Sequence, residues 1–269
     1  MKKDRFNTAW RRMAAAVYDR PRDARVFGHI EADVSVSLAW IAAQAEQGRR
    51  FTITHLLTAA FARTLAEDVP ELNCYVRFGK VIPRPDVGIM LAVDVAGKDL
   101  SAVLIREAHR KTVTQIAEEL ASKAAAKAER EDDRAIQKKQ SLSKLPWPLR
   151  KWAFEALRWS VYEAQLPLGF TGLGPDMFGS MMITNIGTLG LNTGYAALMP
   201  ATNVPCVIAT GKYERKAVVR DEQIVIRDIL PVTGTFDHRI IDGHQAGTLA
   251  AGVLKRLDDP GSLDRPPET

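Results

Sequence analysis

The nine residues Thr235 to Gly243, TFDHRIIDG, hold one of the chain's five histidines, an arginine and two aspartates among Phe and Ile. His238 is the group there best suited to chemistry. An imidazole titrates near neutral pH and takes a proton from a thiol or hydroxyl held against it. Asp242, four residues on, either orients the ring or locks the turn by pairing with an arginine. Gly243 permits a tight bend. A metal reading would use His238, Asp242 and His244. It lacks a recognised zinc spacing and a clear third ligand, so no metal is expected. The plain alternative is a histidine that caps a helix start.

The elements around His238 favour a working residue. A strand (Pro231 to Phe236) runs into it, and a helix leaves from Gly243 and stops at Pro260. Such a junction holds a side chain at the mouth of a cleft. Upstream, the first twenty residues read as a helix, Val26 to Val36 as a strand, and Ser37 to Gln47 as a helix stopped by Gly48. Thr52 or Thr54 caps a further helix that ends at Pro70. NCYVRFGKVI reads as a hairpin turning at Phe78-Gly79. VGIMLAVDV and SAVLI are short strands, and Thr112 to Arg130 is a long helix. Leu149 to Leu166 reads as one helix with Phe154, Leu157, Val161 and Ala164 as its apolar stripe and Trp152 and Trp159 off it. SMMITNIG, VPCVIATGKYE, AVVR, QIVIRDI and LPVTGTFDH read as strands, with Asp221-Glu222 as a turn. The tail GSLDRPPET reads as frayed. Helices and strands without regular βαβ alternation predict an α+β two-layer sandwich with a large mixed sheet.

The 269 residues allow one large domain or two small ones, and 46% hydrophobic with 26% charged residues is ordinary for a globular chain. Two distant cysteines, Cys74 and Cys206, form no disulfide framework. No apolar h-region opens the chain and no run of eighteen apolar residues occurs, so a cytoplasmic location is expected. The net charge of +5 suits phosphate-bearing ligands or acidic partners. Basic residues do not cluster with aromatics in any recognition motif, so nucleic acid is not an expected partner.

FDHRIIDG resembles the DHRxxDG motif of the acyltransferase (E2) catalytic domains of 2-oxo acid dehydrogenase complexes, a superfamily that includes chloramphenicol acetyltransferase. MMITNIGTLGL (Met181 to Leu191) resembles that family's FTISNLGxxG strand and loop. Met199-Pro200 and Asn203-Val204-Pro205 before CVIATGK, DVPELN (Asp68 to Asn73), PDVGIMLAV (Pro85 to Val93) and Trp10 to Met13 extend the match in order along the chain. The resemblance implies residues 1–269 as a single acyltransferase catalytic domain of the chloramphenicol acetyltransferase-like, CoA-dependent fold. It implies His238 as the general base that deprotonates the thiol of coenzyme A or dihydrolipoamide. It implies Thr184 as the hydroxyl donor to the oxyanion, and Asp242 as an anchor paired with Arg12, with Gly243 supporting the turn. Ser101 and Asn185 are its substrate-channel candidates. Coenzyme A enters as substrate, and the partners are an acyl-CoA or acyl-lipoyl carrier and two further copies of the chain in a homotrimer. Thr184 and His238 then need not be close within one chain.

Four departures shape the rest of the expectation. No lipoyl domain and no covalently bound lipoyl group are expected on this chain. Lys98 to Val103 lacks the proline and glycine of the family's channel segment. A Trp-rich helical insertion spans about 131–178. It packs on the core, lids the channel, or docks on a protein partner or membrane surface through its tryptophans and Arg150, Lys151 and Arg158. The polar end LDRPPET predicts a trimer that builds no large cage. The rival readings are a small-molecule O- or N-acyltransferase of the same fold and a non-catalytic, E2-derived trimeric scaffold.

Overall fold

The computed structural model describes residues 24–95, 99–129, 146–166, 176–198 and 202–267. The strands are β1 (Arg25–Asp33), β2 (Cys74–Arg77), β3 (Lys80–Pro83), β4 (Ile89–Val95), β5 (Asp99–Ile105), β6 (Met181–Asn185), β7 (Cys206–Thr210), β8 (Glu214–Arg220) and β9 (Gln223–Asp237). The helices are α1 (Ser35–Glu46), α2 (Ile53–Glu67), α3 (Val113–Glu129), α4 (Trp147–Arg158) and α5 (Gly243–Asp258). Seven strands form one sheet in the order β1-β9-β7-β6-β4-β5, with β8 also on β9, while β2 and β3 pair as a separate hairpin. The β4–β6 and β6–β7 pairings are parallel and the remaining ones antiparallel. The sheet is therefore mixed, with helices packed on it.

α2 is the helix nearest the centre of the core. Leu56 to Leu65 are buried without a break, so this helix has no solvent face. Leu56, Leu57 and Leu65 meet Ile89, Leu91, Ile183, Ile208 and Leu230 of the sheet in one apolar cluster. Each such leucine contributes about 1.5–3 kcal/mol by leaving water. Thr52 starts the helix: its side chain takes the His55 N–H, and the His55 ring takes the Thr52 N–H at 3.3 Å.

Several expectations meet a different arrangement. QIVIRDI and LPVTGTFDH are one strand, β9, that continues through Pro231. β9 pairs with β8 up to Ile229 and with β7 from Val232, so the proline lies at the seam where the partner changes and no ladder is broken. β1 ends at Asp33 and not at Val36, because α1 already starts at Ser35. The single helix over Leu149 to Leu166 is instead α4 followed by a π-helical turn, Trp159–Glu163.

The tail is docked rather than frayed. Pro260 to Asp264 form a 3-10 turn with Leu263 fully buried. Arg63, 6% exposed on α2, donates to the carbonyls of Ser262 (2.9 Å), Leu263 (3.2 Å) and Arg265 (2.5 Å). Asp264 receives Arg49 and both the N–H and hydroxyl of Thr114. The expected opening helix and Arg12 lie outside the described residues.

Candidate active site

β9 delivers His238 to the surface and the turn after it fixes the ring. The Asp237 N–H donates to the Pro205 carbonyl (2.9 Å), and the His238 N–H to that of Ala24 (2.7 Å). The N–H groups of Ile240 and Ile241 both return to the Asp237 carbonyl at 3.0 Å, which closes the bend. Ile241 is buried in the main core and anchors that bend from below. The buried Asp237 carboxylate is held by the Arg239 guanidinium, Nε at 2.9 Å and Nη2 at 2.5 Å. That carboxylate holds the guanidinium's pKa above its ordinary value. The charges and the isoleucines of this stretch thus do one job from opposite sides.

The His238 ring is exposed, and its Nδ1 lies 2.6 Å from the Ile241 carbonyl oxygen. A carbonyl only accepts, so Nδ1 carries the proton. In the neutral ring the lone pair is then on Nε2. That is the tautomer a general base requires.

Asp242 is the N-cap of α5. Its side chain accepts the His244 N–H (2.8 Å), and Gln245 Oε1 accepts the Asp242 N–H (3.1 Å). The expected partner of Asp242, Arg12, lies outside the described residues, and the observed role of the carboxylate is the cap. Gly243 is the first residue of α5, with an ordinary φ and nothing within 4 Å of a built Cβ. The bend beside His238 therefore does not use glycine's conformational freedom. It is made by the hydrogen bonds to Asp237.

Thr184, half-buried on β6, lines a cavity of about 1120 Å³ with Phe51, Thr54, His55, Leu120 and Asn185. Asn185 donates to the Thr54 hydroxyl at 3.4 Å, while its buried carbonyl oxygen has no partner among the described residues. An unpaired acceptor in a roomy cavity suits an amide or hydroxyl donor on a ligand. Burial lowers the pKa of His55, so its ring stays neutral and keeps accepting the Thr52 N–H. His55 is not among the expected site residues, although a Thr at the cap with a polar acceptor three residues on is a readable pattern. Ser101 stands in β5 opposite Val93 of β4, at the sheet edge. Neither cysteine competes as a nucleophile: burial pushes Cys74 up to about 11 and Cys206 higher still.

Thr184 and His238 do not meet within the chain. Thr184 is level with Ala209 on β7, and Ala209 with Thr233 on β9. His238 lies five residues further along, about 16 Å down the strand and roughly 10 Å across two strand spacings. The two groups cannot touch one reacting carbonyl from that distance.

The family described as 2-oxoacid dehydrogenases acyltransferase (catalytic domain) matches residues 12–137 and 176–264. The dihydrolipoyllysine-residue acetyltransferase component of the pyruvate dehydrogenase complex of Rickettsia felis is 30% identical over 93 residues, 34% of this chain and 22% of that protein. The component of the same description from Mycoplasma genitalium is 32% identical over 83 residues, 30% of this chain and 21% of that protein. The chain thus spans about a fifth of the length of these relatives (22% and 21%). The crystal structure of a probable dihydrolipoamide acetyltransferase from Listeria monocytogenes superposes with a TM-score of 0.65 at 19% identity, covering 88% of this chain and 85% of that one. At that identity the likeness is one of fold.

Proposed function

The chain belongs to the family of 2-oxoacid dehydrogenase acyltransferase catalytic domains, and from that premise we propose that it moves an acyl group between a coenzyme A or lipoyl thioester and a thiol, with His238 as general base. The observation that carries this reading is the 2.6 Å contact between His238 Nδ1 and the Ile241 carbonyl, which puts the lone pair of the neutral ring on Nε2 of an exposed residue.

The acceptor thiol gives its proton to Nε2 as its sulfur attacks the thioester carbonyl carbon. The carbonyl oxygen gains the negative charge of the tetrahedral intermediate, and the Thr184 hydroxyl donates a hydrogen bond to it. The intermediate collapses by breaking the bond to the departing sulfur. That sulfur leaves as a thiolate and takes the proton back from Nε2. No acyl-enzyme forms.

This mechanism needs Thr184 and His238 on one carbonyl. We therefore assign the two groups of each site to different copies of the chain, in a homotrimer with sites between neighbours. The supporting observation is their separation on the sheet, which no side-chain rotation bridges. The cavity at Thr184 supplies room for the arm of a carrier on that copy's side.

A release assay for coenzyme A tests the function. Acetyl-, succinyl- and branched acyl-CoA are offered with dihydrolipoamide and with hydroxyl or amine acceptors. Turnover with dihydrolipoamide that disappears in His238→Ala supports the proposal. Turnover only with a hydroxyl or amine acceptor replaces it with small-molecule acylation, and retained activity in His238→Ala overturns the general base.

A further inference from the structure

β1 and β9 pair antiparallel, and Gly28 of β1 stands directly opposite Gly234 of β9. By strand alternation both lie on the face of the sheet that carries Val232 and Phe236 into the core. A Cβ built on Gly234 would come within 2.5 Å of Phe236 Cε2, and one on Gly28 within 3.2 Å of the same atom. The Phe236 ring therefore leans back over the glycine pair. α5 meets this floor with Ala246, Gly247 and Ala250. Two surfaces without long side chains face each other, and the gap between them is a cavity of about 220 Å³. Protein interiors are close-packed and leave few voids larger than a water molecule. This one runs from buried Val232 and Leu249 to half-buried Ile30 and exposed Gly247, so it reaches the core and opens to solvent.

The walls offer a ligand no polar partner. Thr233 and His29 border the cavity, but alternation along their strands points both side chains to the other face of the sheet. The Thr233 hydroxyl donates there to the Gly194 carbonyl. Gly28 to Ile30 and Val232 to Gly234 are paired in the β1–β9 ladder, which uses their backbone groups. No lining residue leaves a buried side-chain polar atom unpaired. Water in this space would lack the partners that hold an ordered molecule.

We propose that the cavity binds the hydrocarbon tail of a small ligand, with the polar end left outside in water. An apolar cavity of roughly 150 Å³ takes benzene, and on that scale this one takes a tail of about six to eight carbons. The inference does not rest on acyl transfer. The cavity shares no residue with the one at Thr184. Gly234 lies four residues before His238, about 13 Å along the strand. Two sources supply such a tail: the acyl group of a long thioester, and a separate amphiphile.

The test is a titration of the full chain with 1-heptanol and with 1-propanol, which has the same head and a shorter tail. The methyl resonances of Ile30, Val232 and Leu249 report it. 1-Heptanol is expected to shift all three and to saturate, and 1-propanol to bind at least about tenfold more weakly, because each methylene taken out of water adds affinity. Ala246→Leu and Ala250→Leu each fill part of the space and should weaken 1-heptanol at least about tenfold with circular dichroism unchanged. No saturable shift at these methyls in wild type, equal binding of the two alcohols, or 1-heptanol binding unchanged in both variants overturns the proposal. Turnover of heptanoyl- and acetyl-CoA with dihydrolipoamide separates the sources. A fall of about tenfold in the heptanoyl-to-acetyl ratio in Ala250→Leu identifies the acyl group as occupant. An unchanged ratio beside weakened 1-heptanol binding identifies a separate amphiphile. Absence of turnover with any thioester counts against acyl transfer, and the titration still decides the cavity.

Discussion

Thr184 and His238 stand on one sheet, two strands and five register positions apart. On the proposed reading, in which both groups serve one carbonyl, the hydroxyl and the imidazole come from two copies. Thr184→Val and His238→Ala should each be inactive alone. Unfolded together in equal amounts and refolded, they should recover about a quarter of wild-type activity, the random share of interfaces pairing an intact His238 with an intact Thr184. No recovery in an assay of the refolded mixture would place both groups of a site in one chain.

The two single variants should differ in depth. Loss of the base in His238→Ala lowers kcat by about 10²–10⁴-fold. Loss of one oxyanion donor in Thr184→Val lowers it by about 10²–10³-fold. Neither should change the assembly seen by light scattering, because Thr184 lines an open cavity and His238 is exposed. Steady-state kinetics with saturating acyl donor separates the two effects from binding.

Asp242 acts through the start of α5. Asp242→Asn keeps an acceptor for the His244 N–H and should stay within a few tenths of a kcal/mol of wild type, whereas Asp242→Ala should lose about 1 kcal/mol. Urea denaturation of the three proteins checks the order Asp, Asn, Ala. A loss equally large in Asn would point to a charge partner for Asp242 instead of a cap.

Much of this site can be read from the sequence, and the limit has a physical cause. TFDHRIIDG singles out His238 as the proposed base because its residue types sit together in the chain. Thr52 as a cap, the Phe78-Gly79 turn and the turn at Asp221-Glu222, both left-handed, are likewise local. The distance between Thr184 and His238 depends on strand order, which no local pattern states. The docking of the tail rests on Arg63, a cation inside a helix that reads as one more polar residue until the carbonyls 199 to 202 positions away come into view. The unbroken course of β9 through Pro231 needs knowledge of which strand lies beside it at each point.

Arg63 offers a separate test. Its replacement by Met removes the donor to the carbonyls of Ser262, Leu263 and Arg265, of which Leu263 is fully buried and Ser262 keeps the Arg265 N–H. The loss should be about 1–3 kcal/mol, the cost of the one acceptor left unpaired in a buried place. Equilibrium denaturation reads the loss, and faster proteolysis beyond Asp259 should accompany it.

Acid should weaken the fold through His55. Burial lowers its folded pKa below the ordinary 6.5. Between that folded value and 6.5 the unfolded chain binds a proton the native chain refuses, so stability is complete above pH 6.5 and falls as the pH drops through that window. His55→Gln keeps an acceptor for the Thr52 N–H and removes the titration. Its melting temperature should decline less between pH 7 and 5 than that of wild type. His109, also lowered by burial, remains in the variant, so the decline shrinks without vanishing.

His238 is oriented by Ile241 of its own turn, at 2.6 Å. On the proposed reading each chain brings an imidazole already aimed to a neighbour's Thr184, and activity should scale with encounter: specific activity should climb with protein concentration, dilution should silence turnover without damaging the fold, and reconcentration should restore it at the speed of collision and not of refolding.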